Sequence, residues 1–149
     1  MKVSEIMKTD VYSVKPDDPL TKVASIICGK KVSGVSVVND DGELVGIISE
    51  KDLLRAMYPS YEEFHEYPIH QMDFEKMEER YDDISKKKVE ECMTKNVITV
   101  PPDTPILKLA SLMIRQRIRR VPIVDGGKLV GIVSQGDIHQ AIFRRECSL

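Results

Sequence analysis

Residues 6–57 lie on residues 92–142 with a single gap, at the turn spelled DDG in the first copy and GG in the second. About nineteen of some fifty aligned positions are identical, and most of the others keep their polarity. A repeat of this length constrains the architecture before any single element does. Each copy is one supersecondary unit, and each is too short to bury much apolar surface alone. The chain is therefore expected to form two halves, residues 1–58 and 89–149, with a loop and helical linker at 59–88 between them.

Each copy reads as strand–helix–strand–strand–helix. VYSV (residues 11–14) and VITV (97–100) are short β-branched runs and predict strands. KPDDP and PPDTP then break the chain, with Asp18 or Thr104 as N-cap and Pro19 or Pro105 as the first helical residue. The helix that follows shows apolar spacing at Leu20, Val23, Ile26 and Ile27, and at Ile106, Leu109, Leu112 and Met113. A hairpin closes on Asp-Gly or Gly-Gly, and a last helix opens at Ser49 or Ser134. The expected class is mixed α/β (α+β): two βαββα repeats packed sheet to sheet about a pseudo-twofold axis. In the linker, Pro59 and Pro68 mark a loop rich in aromatics. Asp73 then caps a helix with Phe74, Met77, Tyr81 and Ile84 on one stripe, which is expected to pack on the module.

Several function classes lose their footing here. No apolar run reaches the ~20 residues a membrane helix needs. The opening MKVSEIMKTD carries an acid and no apolar core, so it does not read as a signal peptide. Three widely spaced cysteines among 149 residues suit reduced thiols and a cytoplasmic setting, and Cys28 falls on an apolar helix face as a small core residue would. A net charge of −2 does not suit a general nucleic-acid binder. His65 and His70 stand off any helical metal spacing, His139 reads as exposed, and no phosphate-loop, nucleophile-elbow or zinc motif occurs. Catalysis is not expected.

Both copies end in Ser-x-x-Asp at a strand-to-helix junction. The serine can cap the helix and the aspartate can answer it, as a capping box. The same geometry also suits a ligand. A helix N-terminus attracts phosphate, a serine hydroxyl adds a donor, and a carboxylate one turn in accepts two hydrogen bonds from a ribose diol. The two uses are compatible, and the motif alone does not choose between them.

The order of VITVPPDTPI, IRRVPIVDGGKLVGIVSQGDI and their first-copy counterparts VYSVKPDDPL and VSGVSVVNDDGELVGIISEKDL resembles a cystathionine-β-synthase (CBS) domain pair, or Bateman module, over about two-thirds of the chain. The resemblance implies a regulatory module without catalysis. It would bind an adenosine-containing ligand in two clefts between the copies. AMP, ADP and ATP are the commonest ligands, and S-adenosylmethionine and NAD also occur. Carried onto this sequence, one cleft would use Asp137 for the ribose, Ser134 and the Gly136 backbone for phosphate, and Arg120 as a fixed cation, with Thr9, Val14, Val32 and Ser33 from the other copy. The mirrored cleft would use Asp52, Ser49 and Lys51, with Lys95, Val100, Ile118 and Arg119. A homodimer, two pairs stacked in a disc, and an unidentified effector protein are the implied partners.

The copies also differ. Gly34 stands opposite Arg120, and Ser36 opposite Pro122, so the clefts should differ in affinity. RQRIRR (residues 115–120) leaves open a nucleic-acid-binding regulator, disfavoured because no aromatic residue interleaves the arginines. Arg115 and Arg117 read as solvated charge. A ligand-free oligomerisation scaffold is the other alternative.

Overall fold

A computed structural model of the chain describes residues 1–57 and 68–147, with side chains to residue 144. The elements in chain order are β1 (Ser13–Val14), α1 (Leu20–Lys30), β2 (Gly34–Val38), β3 (Leu44–Ser49), α2 (Glu50–Ala56), α3 (Phe74–Glu79), α4 (Tyr81–Ser85), α5 (Val89–Cys92), α6 (Ile106–Gln116), β4 (Arg120–Asp125), β5 (Lys128–Ser134) and α7 (Gln135–Cys147). The class is mixed α+β, as the repeat implied. Pro59, His65 and the aromatic stretch around them lie outside the described residues.

Two compact units form. The first joins residues 1–11, 38–44 and 96–149; the second joins 12–37 and 45–95. The units therefore do not follow the repeat boundaries, because the opening segment of each repeat packs with the other repeat's helix and hairpin. In the first unit, Val3 N–H donates to Thr104 O (2.8 Å), Ser4 N–H to Pro102 O (2.9 Å) and Ile106 N–H to Met1 O (3.1 Å). In the second, Val89 N–H donates to Asp18 O (2.8 Å), Glu90 N–H to Pro16 O (2.9 Å) and Leu20 N–H to Lys87 O (2.9 Å). In each case a foreign carbonyl takes one of the orphan amides at a helix start.

The second unit holds the sheet β1-β2-β3, with β1 parallel to β2 in the register Val14↔Val37. Val14, Leu20, Val23, Ile27, Val35, Val37, Ile48 and Val89 form its core. The first unit pairs β4 and β5 antiparallel, from Arg120↔Ser134 to Asp125↔Lys128. Its core is Val3, Ile106, Leu109, Met113, Val121, Ile123, Val133 and Ile138. The β4–β5 turn needs positive φ at Gly126 (+56°) and Gly127 (+81°), which is the two-residue hairpin that Gly-Gly favours. Both α1 and α6 end on a left-handed residue, Lys31 and Arg117, at aligned positions.

Four local expectations need correction. Pro19 and Pro105 are themselves the N-caps, in extended backbone, and the helices start one residue later. The reason is that Asp18 turns back to accept Lys15 N–H (2.8 Å), while the Thr104 hydroxyl donates to Pro101 O (2.8 Å). VITV contributes only Val100, bridged parallel to Ile123. The linker helix is two short helices, α3 and α4, parted at Arg80. Like charges at i,i+4 across that point (Glu78/Asp82, Glu79/Asp83) oppose one continuous helix. Asp73 does cap α3, accepting Lys76 N–H at 3.0 Å. Of its apolar stripe, Ile84 packs on the second unit's core while Phe74 and Tyr81 stay exposed. Cys28 is exposed rather than a core residue, because the buried face of α1 is taken by Leu20, Val23 and Ile27.

Candidate functional site

The two serine–aspartate pairs form real caps. Ser134 N–H donates to Asp137 Oδ2 (2.8 Å), and Asp137 N–H donates back to Ser134 Oγ (3.1 Å). In the second unit Ser49 N–H donates to Asp52 Oδ2 (2.8 Å), and the Ser49 hydroxyl lies 3.1 Å from the same oxygen. Each cap thus engages Oδ2. Oδ1 of Asp137 is left pointing at another group: Lys8 Nζ, 3.5 Å away. The aspartate side chain is mostly buried and the lysine mostly exposed.

Four of the residues proposed around Asp137 meet within the first unit. Arg120 opens β4 and is the register partner of Ser134, the last residue of β5, so its backbone lies beside the cap. Gly136 sits in the first turn of α7, and a Cβ there would approach nothing closer than Ser134 Oγ at 3.6 Å. Thr9, also in this unit, follows Lys8 and is exposed. Gln135 N–H is already bonded to Arg119 O (2.9 Å), which ties the helix start to β4. The 13-residue α7 carries a full dipole, positive at this end. A carboxylate oxygen, a hydroxyl and helix amides are therefore collected at the start of α7, with the Arg120 backbone in register beside them.

The second unit holds Val14, Val32, Ser33, Ser49, Lys51, Asp52 and Lys95. Glu50 N–H bonds Ser33 O (3.0 Å), as Gln135 bonds Arg119. Lys51 and Lys95 are exposed, Val32 and Ser33 half-buried, and Val14 is fully in the core. The helix behind this cap, α2, has only seven residues. Val100, Ile118 and Arg119 belong to the first unit, where Arg119 is exposed and Val100 and Ile118 pack against the core.

Lys8 is the residue that the sequence reading missed. Its signal was present: Lys8 aligns with Thr94, so a long cation replaces a small hydroxyl residue in one copy. Both positions have the same scaffold. Lys8 and Ile132 exchange backbone hydrogen bonds (3.0 and 2.9 Å), as do Thr94 and Ile47 (2.8 and 3.0 Å). Gly131 and Gly46 make room for the preceding methionines, since a Cβ would lie 2.6 Å from Met7 Sδ and 2.7 Å from Met93 Sδ. Among the described residues, no cluster of three or more His, Cys, Asp or Glu could hold a metal, and no helix is long and apolar enough to cross a membrane.

Comparison with known proteins gives the same picture. The uncharacterised protein MJ1426 of Methanocaldococcus jannaschii is 36% identical over 154 residues, spanning 95% of this chain and 91% of its own length. Chloroplastic CBSX2 of Arabidopsis thaliana is 30% identical over 141 residues, and the match spans 90% of this chain but only 59% of that protein. A crystal structure of CBSX2 in complex with AMP superposes with a TM-score of 0.76 at 26% identity, covering 97% of this chain and 98% of the other. The CBS domain pair of protein MJ0100, in complex with 5′-methylthioadenosine and S-adenosyl-L-methionine, gives 0.73 at 27% identity, with coverage of 97% and 98%. The family model for the CBS domain matches residues 3–59 and again 89–144. With two matched repeats over most of its length, the chain belongs to the CBS domain family.

Proposed function

We propose that the chain is a regulatory module that binds an adenosine-type ligand at the Asp137 site. One observation carries the reading: the cap uses Oδ2 of Asp137, while Oδ1 faces a cation beside the start of a 13-residue helix. Ribose hydroxyls would donate to that oxygen. Phosphate would lie toward Arg120, the Ser134 hydroxyl, the Gly136 amide and Thr9. Ser49, Lys51, Asp52 and Lys95 form the corresponding set of the second unit. The adenosine ligands of CBSX2 and the MJ0100 pair support the class; AMP, ADP or ATP is our choice within it, with S-adenosylmethionine or NAD next.

The module binds without turnover and signals by population shift, so its ligand must favour one conformational state over another. Leu107 and Ile114 on α6, with Phe143 on α7, are exposed apolar residues, and we read them as the surface for a second copy. Free thiols at Cys28 and Cys92 suit a reducing cytoplasm. The test is calorimetric titration of AMP, then of ATP with and without magnesium, into the wild type and Asp137→Ala. Saturable binding that weakens at least about tenfold in the variant is expected. No saturable binding of any adenosine nucleotide, or binding indifferent to the substitution, would remove the proposal.

A further inference from the structure

We propose that Lys8 fits the Asp137 site to adenosine 5′-phosphates carrying a second phosphate on the ribose, at the 2′ or 3′ oxygen. The inference rests on the nucleotide reading above and narrows its ligand class. A carboxylate placed to receive a ribose diol repels a phosphate at the same place. In dinucleotide sites an acid reads the 2′-hydroxyl, and a nearby cation takes over when that oxygen is phosphorylated. Both groups are present here. Lys8 Nζ lies 3.5 Å from Asp137 Oδ1, the oxygen not held by the cap. An ion pair with so exposed a lysine is weak, so the ammonium and its three donors can turn from the carboxylate to a ligand phosphate. The backbone that carries it is held in place: Lys8 is locked to Ile132 by two hydrogen bonds, and Met7 fills the space over Gly131.

The chain carries its own control. Thr94 has the same backbone pairing with Ile47, beside the same serine–aspartate cap, but it brings no charge. Asp137 therefore differs from Asp52 in having a cation on its ribose side. Arg120, register partner of Ser134, starts from the strand beside the same cap. A second cation carried by this edge suits a ligand with two phosphates.

The test uses the full chain carrying Asp52→Ala, so that the Asp137 site alone is read. AMP, adenosine 2′,5′-bisphosphate and adenosine 3′,5′-bisphosphate are titrated into this protein and into its Lys8→Thr and Lys8→Arg derivatives. With Lys8 present, at least one bisphosphate should bind within about tenfold of AMP. Lys8→Thr should worsen the ratio of that bisphosphate to AMP by at least about fivefold, and Lys8→Arg should restore it. The arm that responds identifies the ribose position. Rejection of both bisphosphates by more than about tenfold, or a ratio that moves less than about fivefold in Lys8→Thr, overturns the proposal while AMP binding stands. Failure of AMP itself to bind overturns the nucleotide reading and this inference together.

Discussion

Asp137 does two jobs with two oxygens, and a conservative substitution should separate them. In Asp137→Asn the amide oxygen can still accept Ser134 N–H, so the cap survives. The amide nitrogen then replaces Oδ1, facing Lys8, and cannot accept a ribose hydroxyl. The stability cost is the charge at the helix start, about 0.3–1 kcal/mol, plus an exposed ion pair worth about 0.2–1 kcal/mol. Asp137→Ala loses these and the Ser134 N–H to Oδ2 bond as well, a further ~1 kcal/mol, while its backbone N–H still donates to Ser134 Oγ. In a chain of this size each kcal/mol lowers Tm by about 2–4 °C. Affinity should behave differently. Loss of a charged acceptor costs about 1.5–3 kcal/mol of binding, so both variants should bind AMP about ten- to a hundredfold more weakly. Thermal unfolding and calorimetry on the same samples, in an Asp52→Ala background, read the two quantities. The reasoning fails if Asp137→Asn keeps AMP affinity within about threefold, or if affinity simply follows Tm through both variants.

The aligned glycines give a matched pair. Gly131→Ala and Gly46→Ala should each destabilise by about 1–3 kcal/mol through overpacking, measured by urea unfolding. Met7→Ala should offset most of the former cost. Met93→Ala should offset less of the latter, because a Cβ at Gly46 lies 2.9 Å from the Thr94 carbonyl oxygen, against 3.1 Å from the Lys8 carbonyl oxygen at Gly131; equal rescue in the two cycles would refute this. Ser36 is buried and its hydroxyl has no hydrogen-bond partner among the described residues, so Ser36→Ala should stabilise the chain by about 1 kcal/mol, and a lower Tm would count against it. Burial pushes the Cys92 thiol up, so at pH 8 iodoacetamide should label Cys28 well before Cys92 by peptide mass mapping. Equal rates would contradict this.

The internal alignment carried most of the local structure because it compared like with like. It located both hairpin turns, both caps and the buried stripes of α1 and α6, each of which depends on residues within one turn or one hairpin. It erred by one residue at Pro19 and Pro105, where N-cap and first-turn chemistry compete over neighbouring prolines and acids. It misplaced VITV because strand propensity does not guarantee pairing: only Val100 finds a partner. The exchange of opening segments was illegible for a deeper reason. The two copies present matching edges: Lys8 meets Ile132 as Thr94 meets Ile47, and Met7 meets Gly131 as Met93 meets Gly46. Either segment would satisfy either edge, so no local preference marks which core it enters.

The same symmetry explains why a site residue escaped notice. Ser134 and Asp137 were visible because their partner is three residues away and the motif occurs twice. Lys8 acts on Asp137 from the far end of the chain, and its meaning lies in a difference between copies rather than in what they share. In a duplicated module the shared residues build the scaffold, here caps, glycine gaps and bridges. What distinguishes one site from the other must then lie at the unmatched positions that touch the shared carboxylate. Lys8 opposite Thr94 and Arg120 opposite Gly34 are two such departures. One pairs directly with Asp137 and the other is in register with its capping serine. Both departures add a cation to the edge that carries Asp137, so exchanging the two positions between copies should carry the preference for phosphate with them.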